Sequence, residues 1–196
     1  MTKKVKREII EWSLFIVVVG GLYITGWHTE VLGTLQRGIL ATGIIRPDIE
    51  EDSQGKANYN FQLRDMEGNI HNVNDWKGEV IFINLWATWC PPCIAEMPDI
   101  NNLYRVKGQD VRFVMISLDD DPEKAKQFIE RKGFKFPVFT QVSGLPAVFH
   151  SNSIPTTFVI DQNGEIVVKR MGLAKYYTDD FKQFLDDLVS KKVSEL

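Results

Sequence analysis

The chain is short of cysteine and of positive charge, and each shortage excludes a class of protein. Cys90 and Cys93 are its only cysteines, which excludes a scaffold of several disulfides and a four-cysteine metal site. The 23 Lys and Arg residues are outnumbered by 26 Asp and Glu residues, so no overall basic field attracts nucleic acid. With 44% hydrophobic and 25% charged residues in 196 positions, the chain is a globular protein with one core and an appendage.

Residues 1–29 have the pattern of a membrane anchor. No charged residue lies between Glu11 and Glu30, and the 19 residues from Ile9 to Trp27 form a largely apolar stretch. As a helix this stretch would be about 28 Å long, close to the ~30 Å of the bilayer interior. The basic residues before it favour a cytoplasmic N-terminus; they are Lys3, Lys4, Lys6 and Arg7. We therefore expect a single-pass protein of the cell membrane with an extracytoplasmic, periplasmic C-terminal domain.

A cleaved signal peptide has a similar pattern and is the alternative to a retained signal anchor. No good cleavage site follows the apolar stretch, because Trp27 and His28 come directly after Gly26. This favours the anchor, although the sequence leaves cleavage open. Both alternatives export the domain.

Residues 30–57 are expected to form an amphipathic segment and a linker. Apolar residues from Val31 to Ile44 recur at helical spacing, while Arg37 and the short length argue against a second membrane crossing. The stretch 46–56 is acidic and rich in turn-forming residues, which is typical of a linker. The folded domain is therefore expected at residues 58–196.

The order of elements in this domain predicts an α/β fold. A hairpin is expected at its start, from 59–64 and 70–73, and the continuous apolar run Val80 to Trp86 predicts a central strand buried on both faces. The other predicted elements are helices at 91–104, 122–132 and 179–190, a strand at 111–118, and a hairpin of 156–160 with 165–170. Alternation followed by a hairpin predicts a mixed sheet sandwiched by helices.

The two cysteines lie where a buried strand gives way to a helix, in Trp89-Cys-Pro-Pro-Cys93. At a helix start, free backbone N–H groups and the helix dipole stabilise a thiolate, so the pKa of Cys90 should be lowered. Cys93 comes one turn later and is expected to be deeper and less exposed. The pattern predicts that Cys90 attacks a disulfide and that Cys93 resolves the product.

Structural roles for the pair are less favourable. A disulfide that closes a loop of about four residues stabilises by only ~2 kcal/mol, against ~4.7 kcal/mol for a loop of about 100. A zinc site needs about four ligands, and the three histidines lie apart from one another and from the pair; they are His28, His71 and His150. Redox chemistry is therefore the favoured interpretation.

Two motifs together resemble the thioredoxin superfamily: Trp-Cys-x-x-Cys after a strand, and Ile154-Pro-Thr-Thr-Phe-Val-Ile-Asp161. More narrowly, Asn-Leu-Trp-Ala-Thr-Trp-Cys-Pro-Pro-Cys-Ile-Ala-Glu-Met-Pro, from Asn84 to Pro98, resembles the membrane-anchored TlpA/ResA-like thiol-disulfide oxidoreductases. The resemblance covers roughly Asn58 to Lys191. It implies a thioredoxin-like fold and a redox-active CXXC disulfide, and we expect neither a cofactor nor a metal ligand.

The resemblance also implies roles around the sulfurs. Pro155 should be cis and lie beside the cysteines, so that the Ile154 backbone can pair with an extended substrate. Trp89 is expected to contribute to substrate binding, and Trp86 and Trp89 to pack as core and shield around the sulfurs.

Glu96, one helical turn after Cys93, matches an acidic position of the family that tunes cysteine protonation, so it is expected to take the proton of Cys93. Asn84 occupies the place where thioredoxins carry a buried acid, whose function Glu96 would replace. Pro98 matches a helix proline of the family and should kink the helix.

One departure from the general thioredoxin pattern is that both residues between the cysteines are proline. Pro91 and Pro92 have no N–H to donate to the Cys90 sulfur, which should change its reduction potential.

The favoured function is reduction of client protein disulfides, with electrons returned by a membrane donor. The resemblance suggests cytochrome c biogenesis, with apocytochrome c as a client, while the oxidative direction would use the same sulfurs. The alternative is a copper-delivery module with Cys90, Cys93 and His150 as ligands. A thiol peroxidase would need a peroxide-binding Thr-x-x-x-x-Cys pattern. Thr88 is only two residues before Cys90, so this function is excluded.

Overall fold

The computed structural model describes residues 3–24, 27–41 and 55–191. Two helices precede the domain, α1 (Lys3–Ile24) and α2 (Trp27–Ala41). Within these three ranges, no helix combines the length and the apolar character needed to span a bilayer. A helix was predicted from Val31 to Ile44; α2 covers this stretch as far as Ala41 and begins earlier, at Trp27. The predicted linker, 46–56, lies outside the described residues as far as residue 54.

The domain described from residue 55 onward contains a seven-stranded mixed sheet in the order β2-β1-β5-β4-β3-β6-β7. Its elements are β1 (Gln62–Asp65), β2 (Ile70–Asn72), β3 (Val80–Trp86), α3 (Pro91–Lys107), β4 (Val111–Ser117), α4 (Pro122–Lys132), β5 (Val138–Gln141), β6 (Thr156–Ile160), β7 (Ile166–Met171) and α5 (Asp179–Ser190). Strands β3, β4 and β5 are parallel, and the other pairings are antiparallel. The predicted mixed sheet is confirmed, and β5 is an additional strand that the pattern did not indicate.

Strand β3 lies at the centre of the core, and all seven of its residues are buried, as the apolar run predicted. On one face, Phe82 packs in a cluster to which α3, α4 and α5 contribute. Helices α3 and α4 share this face because β3, β4 and β5 follow one another in the same direction across the sheet, and right-handed crossovers then place both helices on one side.

The opposite face of the sheet is covered differently from the prediction. Ile81 and Ile83 pack there with Tyr59 and Phe61 from the start of the domain. Trp76 and Phe149, which belong to two short 3-10 turns, complete the cluster. Among the described residues no α-helix contributes to this cluster, so the expectation of helices on both faces is corrected to helices on one face.

Candidate active site

Cys90 and Cys93 form a disulfide at the start of α3. Cys90 is the N-cap residue, with extended backbone angles, and its sulfur accepts a hydrogen bond from the Cys93 N–H at 3.3 Å. Pro91 and Pro92 have no N–H to offer, so the donor comes from the third residue after the cap. The predicted position of Cys90 at a helix start is confirmed, and the Cys93 N–H together with the helix dipole favours negative charge on its sulfur.

Cys90 is itself buried. Its exposed fraction is 4%, against 0% for Cys93, so Cys93 is the deeper residue, as expected. Residues 93–97 of α3 are all buried. Because five consecutive residues cover more than one 3.6-residue turn, this part of the helix is buried on all sides. Helix α2 contributes to this burial, because Gly33 comes so close to α3 that a Cβ there would lie 3.0 Å from the Pro91 carbonyl oxygen.

The Ile154–Pro155 peptide bond is cis, as the resemblance implied. The loop lies beside the disulfide, with the Ile154 carbonyl oxygen 3.7 Å from the Cys90 sulfur. The Thr156 hydroxyl closes the loop by donating to the Ser153 carbonyl at 2.7 Å. The Ile154 backbone and the Cys90 sulfur are therefore held close together at one end of the sheet.

The two tryptophans of the motif have different environments. Trp86 is fully buried in the core, as expected. Trp89 is 59% exposed, so the expectation that it belongs to the core is wrong. Trp86 is the last residue of β3, whereas Trp89 lies in the loop before α3, outside the alternation that turns side chains into the core. An exposed indole next to the disulfide can contact a bound protein chain.

Glu96 is fully buried on α3 and accepts hydrogen bonds from two residues in other parts of the fold, Asn84 and Ala174. The Asn84 amide donates to Oε1 of Glu96 at 2.8 Å and also to the Thr157 hydroxyl at 2.9 Å. The Ala174 N–H donates to Oε2 at 3.3 Å. Asn84 is on β3, Thr157 on the neighbouring strand β6, and Ala174 in the segment between β7 and α5. This buried carboxyl group thus lies one turn along the helix from Cys93.

Burial raises the pKa of Glu96 from 4.5 to about 8, because desolvation disfavours the carboxylate. The hydrogen bonds from Asn84 and Ala174 oppose this rise, the negative charge of Asp99 adds to it, and Arg170 opposes it. Because the disulfide is formed in this structure, the raised pKa belongs to the oxidised state. A group with this pKa exchanges a proton near neutral pH, as a general acid or base requires.

Two further carboxylates organise the site, and sequence reasoning missed both. Asp119, after β4, accepts from the Thr88 N–H at 3.0 Å and from the Thr88 hydroxyl at 2.6 Å, which holds the loop that carries Cys90. Asp99 accepts from the Tyr177 N–H at 2.7 Å and so ties α3 to the segment that also supplies Ala174. Asp119 could have been identified from its position after the carboxyl end of β4, a strand parallel to β3, because the loops after parallel strands converge at that edge of the sheet.

The histidines do not join the cysteines. His150 donates from Nε2 to the Leu145 carbonyl at 2.8 Å, and His71 pairs with Asp65 in the first hairpin. Across residues 3–24, 27–41 and 55–191, no three His, Cys, Asp or Glu side chains assemble as a metal-binding group. The copper-delivery alternative therefore lacks the third ligand that it assigned to His150.

Comparison with known proteins gives consistent matches. The family model described as Redoxin matches residues 53–185. The thiol-disulfide oxidoreductase ResA of Geobacillus thermodenitrificans is 34% identical over 188 residues, which cover 95% of this chain and 98% of that protein.

Solved structures agree with this match. A thiol:disulfide interchange protein of the thioredoxin family from Chlorobium tepidum superimposes with a TM-score of 0.60 at 25% identity, over 70% of this chain and 99% of that one. StoA from Bacillus subtilis superimposes with a TM-score of 0.53 at 25% identity, over 64% of this chain and 93% of that one. The expected thioredoxin-like fold is confirmed.

Proposed function

The chain belongs to the Redoxin family, among ResA-like thiol-disulfide oxidoreductases, and from this premise we propose that it is a membrane-tethered, extracytoplasmic enzyme that reduces client protein disulfides. The observation that carries the proposal is the Cys-Pro-Pro-Cys disulfide at a helix start, with the cis-proline loop on one side and the buried Glu96 one turn away. Each of these groups has a step to perform in disulfide exchange.

The reaction begins with Cys90 as a thiolate. It attacks one sulfur of the client disulfide, forms a mixed disulfide and releases the other client sulfur as a thiolate. Cys93 then gives its proton to the Glu96 carboxylate and attacks the Cys90 sulfur, which forms the Cys90–Cys93 disulfide and releases the second client thiolate. The client gains two electrons, and a membrane dithiol donor must return two electrons to the enzyme.

Substrate binding is assigned to the surface around the disulfide. The exposed Trp89 ring offers apolar contact area, and the Ile154 backbone beside Cys90 suits pairing with an extended client segment. Pro155 follows directly as the cis residue of this loop. This is the role that the family resemblance assigns to Trp89, Ile154 and Pro155.

The tether is assigned to residues 1–29. The six residues from Leu14 to Val19 in α1 are large, apolar and exposed. Because six consecutive residues cover more than one helical turn, the helix is apolar on all sides here. A helix that is apolar on all sides is stable when lipid or protein surrounds it. With basic residues before it, this segment would leave the domain on the extracytoplasmic side of the membrane.

For the client, we propose a protein that must be kept reduced in an oxidising compartment, such as apocytochrome c during cytochrome c biogenesis. A reductant in such a compartment needs a dedicated membrane donor and a narrow set of clients. Both follow from the TlpA/ResA-like resemblance.

The proposal is tested with two cysteine variants of the full-length chain. Cys93→Ser should trap the client as a mixed disulfide on Cys90, because the resolving sulfur is missing, and Cys90→Ser should bind no client covalently. Non-reducing electrophoresis followed by mass spectrometry of the adduct identifies the client. A Cys93→Ser enzyme that still reduces disulfides at the normal rate would contradict the assigned roles.

A further inference from the structure

The Asn84 side chain is an unusual partner for a buried acid. Its Nδ2 group donates both of its hydrogens, one to Glu96 and one to Thr157. Its Oδ1 atom is buried and accepts no hydrogen bond from the part of the chain that the structure describes. An unpaired buried carbonyl oxygen costs free energy, so the unpaired Oδ1 atom of Asn84 needs a physical explanation.

The observed orientation of the Asn84 amide suits the carboxylate form of Glu96, which in the disulfide state predominates above its pKa of about 8. A carboxylate only accepts hydrogen bonds, and it receives one on each oxygen, from Asn84 and from the Ala174 N–H. A protonated Glu96 has an O–H that needs an acceptor, and the Nδ2 group cannot provide one. The Oδ1 atom of the same amide has no partner in the described part of the chain and is an acceptor that could take a hydrogen bond from this O–H.

Turning the Asn84 amide over exchanges the positions of Nδ2 and Oδ1 with little change in shape, because the terminal torsion of asparagine is close to two-fold. Oδ1 would then accept from the Glu96 O–H and from the Thr157 hydroxyl, which is able either to donate or to accept. Glu96 thus finds a partner in each protonation state from one side chain in two orientations, and in either orientation the other end of the amide has no partner among the described residues.

We propose that Asn84 is a positioning residue for proton transfer, which presents its NH2 group to the Glu96 carboxylate and its carbonyl oxygen to the Glu96 carboxylic acid. The proposal rests on the role of Glu96 in the proposed function. The proton balance is simple, since one proton leaves the Cys93 thiol, binds a Glu96 oxygen and returns when the disulfide is reduced. Asn84 gains and loses no proton.

The charged and titratable groups that act on Glu96 come from three sides. Asp99 lies one turn later on α3 and raises the Glu96 pKa, whereas Arg170 on β7 lowers it. Tyr176, in the segment before α5, is fully buried, and burial raises the pKa of its phenol well above the usual value, so it carries no charge near neutral pH. Cys93 lies one turn earlier on the helix. Asn84 adds no charge to this set, and in its observed orientation its hydrogen bond lowers the Glu96 pKa.

The test measures the pH dependence of client release by the reduced full-length protein in detergent, with insulin as the disulfide probe. Asn84→Leu removes the hydrogen bond that stabilises the carboxylate and should raise the apparent pKa of this step by about one to two pH units, the effect of one hydrogen bond to a charged group. Near neutral pH, release should slow by about 10- to 100-fold.

Asn84→Asp has almost the same shape as wild type and serves as the second variant if Asn84→Leu does not fold. It places a second carboxyl group against Glu96, so the pair should titrate in two steps, one below and one above the wild-type pKa. In a Glu96→Gln background, Asn84→Leu should produce no further change in the pH profile. A purely structural asparagine predicts that Asn84→Leu shifts the profile neither in wild type nor in the Glu96→Gln background; the two-step titration of Asn84→Asp would show that the position acts directly on Glu96.

The outcomes separate the two claims. If Glu96→Gln alters the pH profile but Asn84→Leu and Asn84→Asp leave it at the wild-type position, the role of Asn84 is wrong and the proposed function stands. If Glu96→Gln itself leaves the profile unchanged, the proton acceptor of the proposed function is wrong, and the role of Asn84 fails with it.

Discussion

Replacing the buried acid by its neutral analogue, Glu96→Gln, should change how the stability of the oxidised protein depends on pH. The pKa of Glu96 rises from 4.5 in the unfolded chain to about 8 in the fold. Between these values the folded protein binds a proton that the unfolded chain does not, so the free energy of unfolding falls as pH rises. From pH 5.5 to pH 8 the loss is about 3 kcal/mol, at 1.36 kcal/mol per pH unit.

The glutamine side chain introduced by Glu96→Gln would resemble the protonated acid and cannot lose a proton, so the variant should be spared this loss. Urea unfolding of the oxidised proteins, followed by tryptophan fluorescence, gives the free energy of unfolding at each pH. The difference between Glu96→Gln and wild type should move in favour of the variant by about 3 kcal/mol from pH 5.5 to pH 8. Glu67→Gln, at an exposed glutamate in the first hairpin turn, is the matched control and should follow wild type.

The result that would refute this reasoning is a constant difference between Glu96→Gln and wild type across the pH range. It would mean that the carboxyl group is already ionised in the fold at pH 5.5. Hydrogen bonds from Asn84 and Ala174 would then outweigh the desolvation of the carboxylate.

Two further predictions concern the N-terminal helices. Gly33→Ala should destabilise the packing of α2 on α3 and make Cys90 of the reduced protein react faster with iodoacetamide, because the added Cβ would lie 3.0 Å from the Pro91 carbonyl oxygen. Gly38→Ala, in the same helix but with open space around the added Cβ, gains about 1 kcal/mol of helix propensity and should leave that reactivity unchanged; equal reactivities would contradict the packing. For the tether, the full-length protein should sediment with membranes and resist extraction by high salt, while a chain starting at residue 30 should be released. Release of the full-length protein by salt would argue against insertion.

Much of the redox motif could be predicted from local sequence. The apolar run that forms β3 and the cysteines at the helix start are local features, since period, length and capping residues lie within a few positions of one another. The cis conformation of Pro155 came from family resemblance, because neighbouring residues alone allow either isomer. Strand β5 was missed because it has only four residues, too few for a clear alternation.

The exposure of Trp89 and Cys90 could not be predicted in the same way. Trp89 was expected in the core because large aromatic residues usually pack there, but it lies in the loop between β3 and α3. Cys90 is buried, and α2, which comes from more than fifty residues earlier in the chain, packs on the first turns of α3. Burial of a residue depends on such distant neighbours.

The sequence by itself determined the chemistry available to this protein: a single pair of cysteines, their spacing of one helical turn, and a glutamate one turn beyond them. Only the tertiary structure decided the protonation of that glutamate, because its hydrogen-bond donors come from β3 and from a residue 78 positions away. A pKa is set by the free energy of burying a charge among the groups around it, and those groups meet only when the chain has folded.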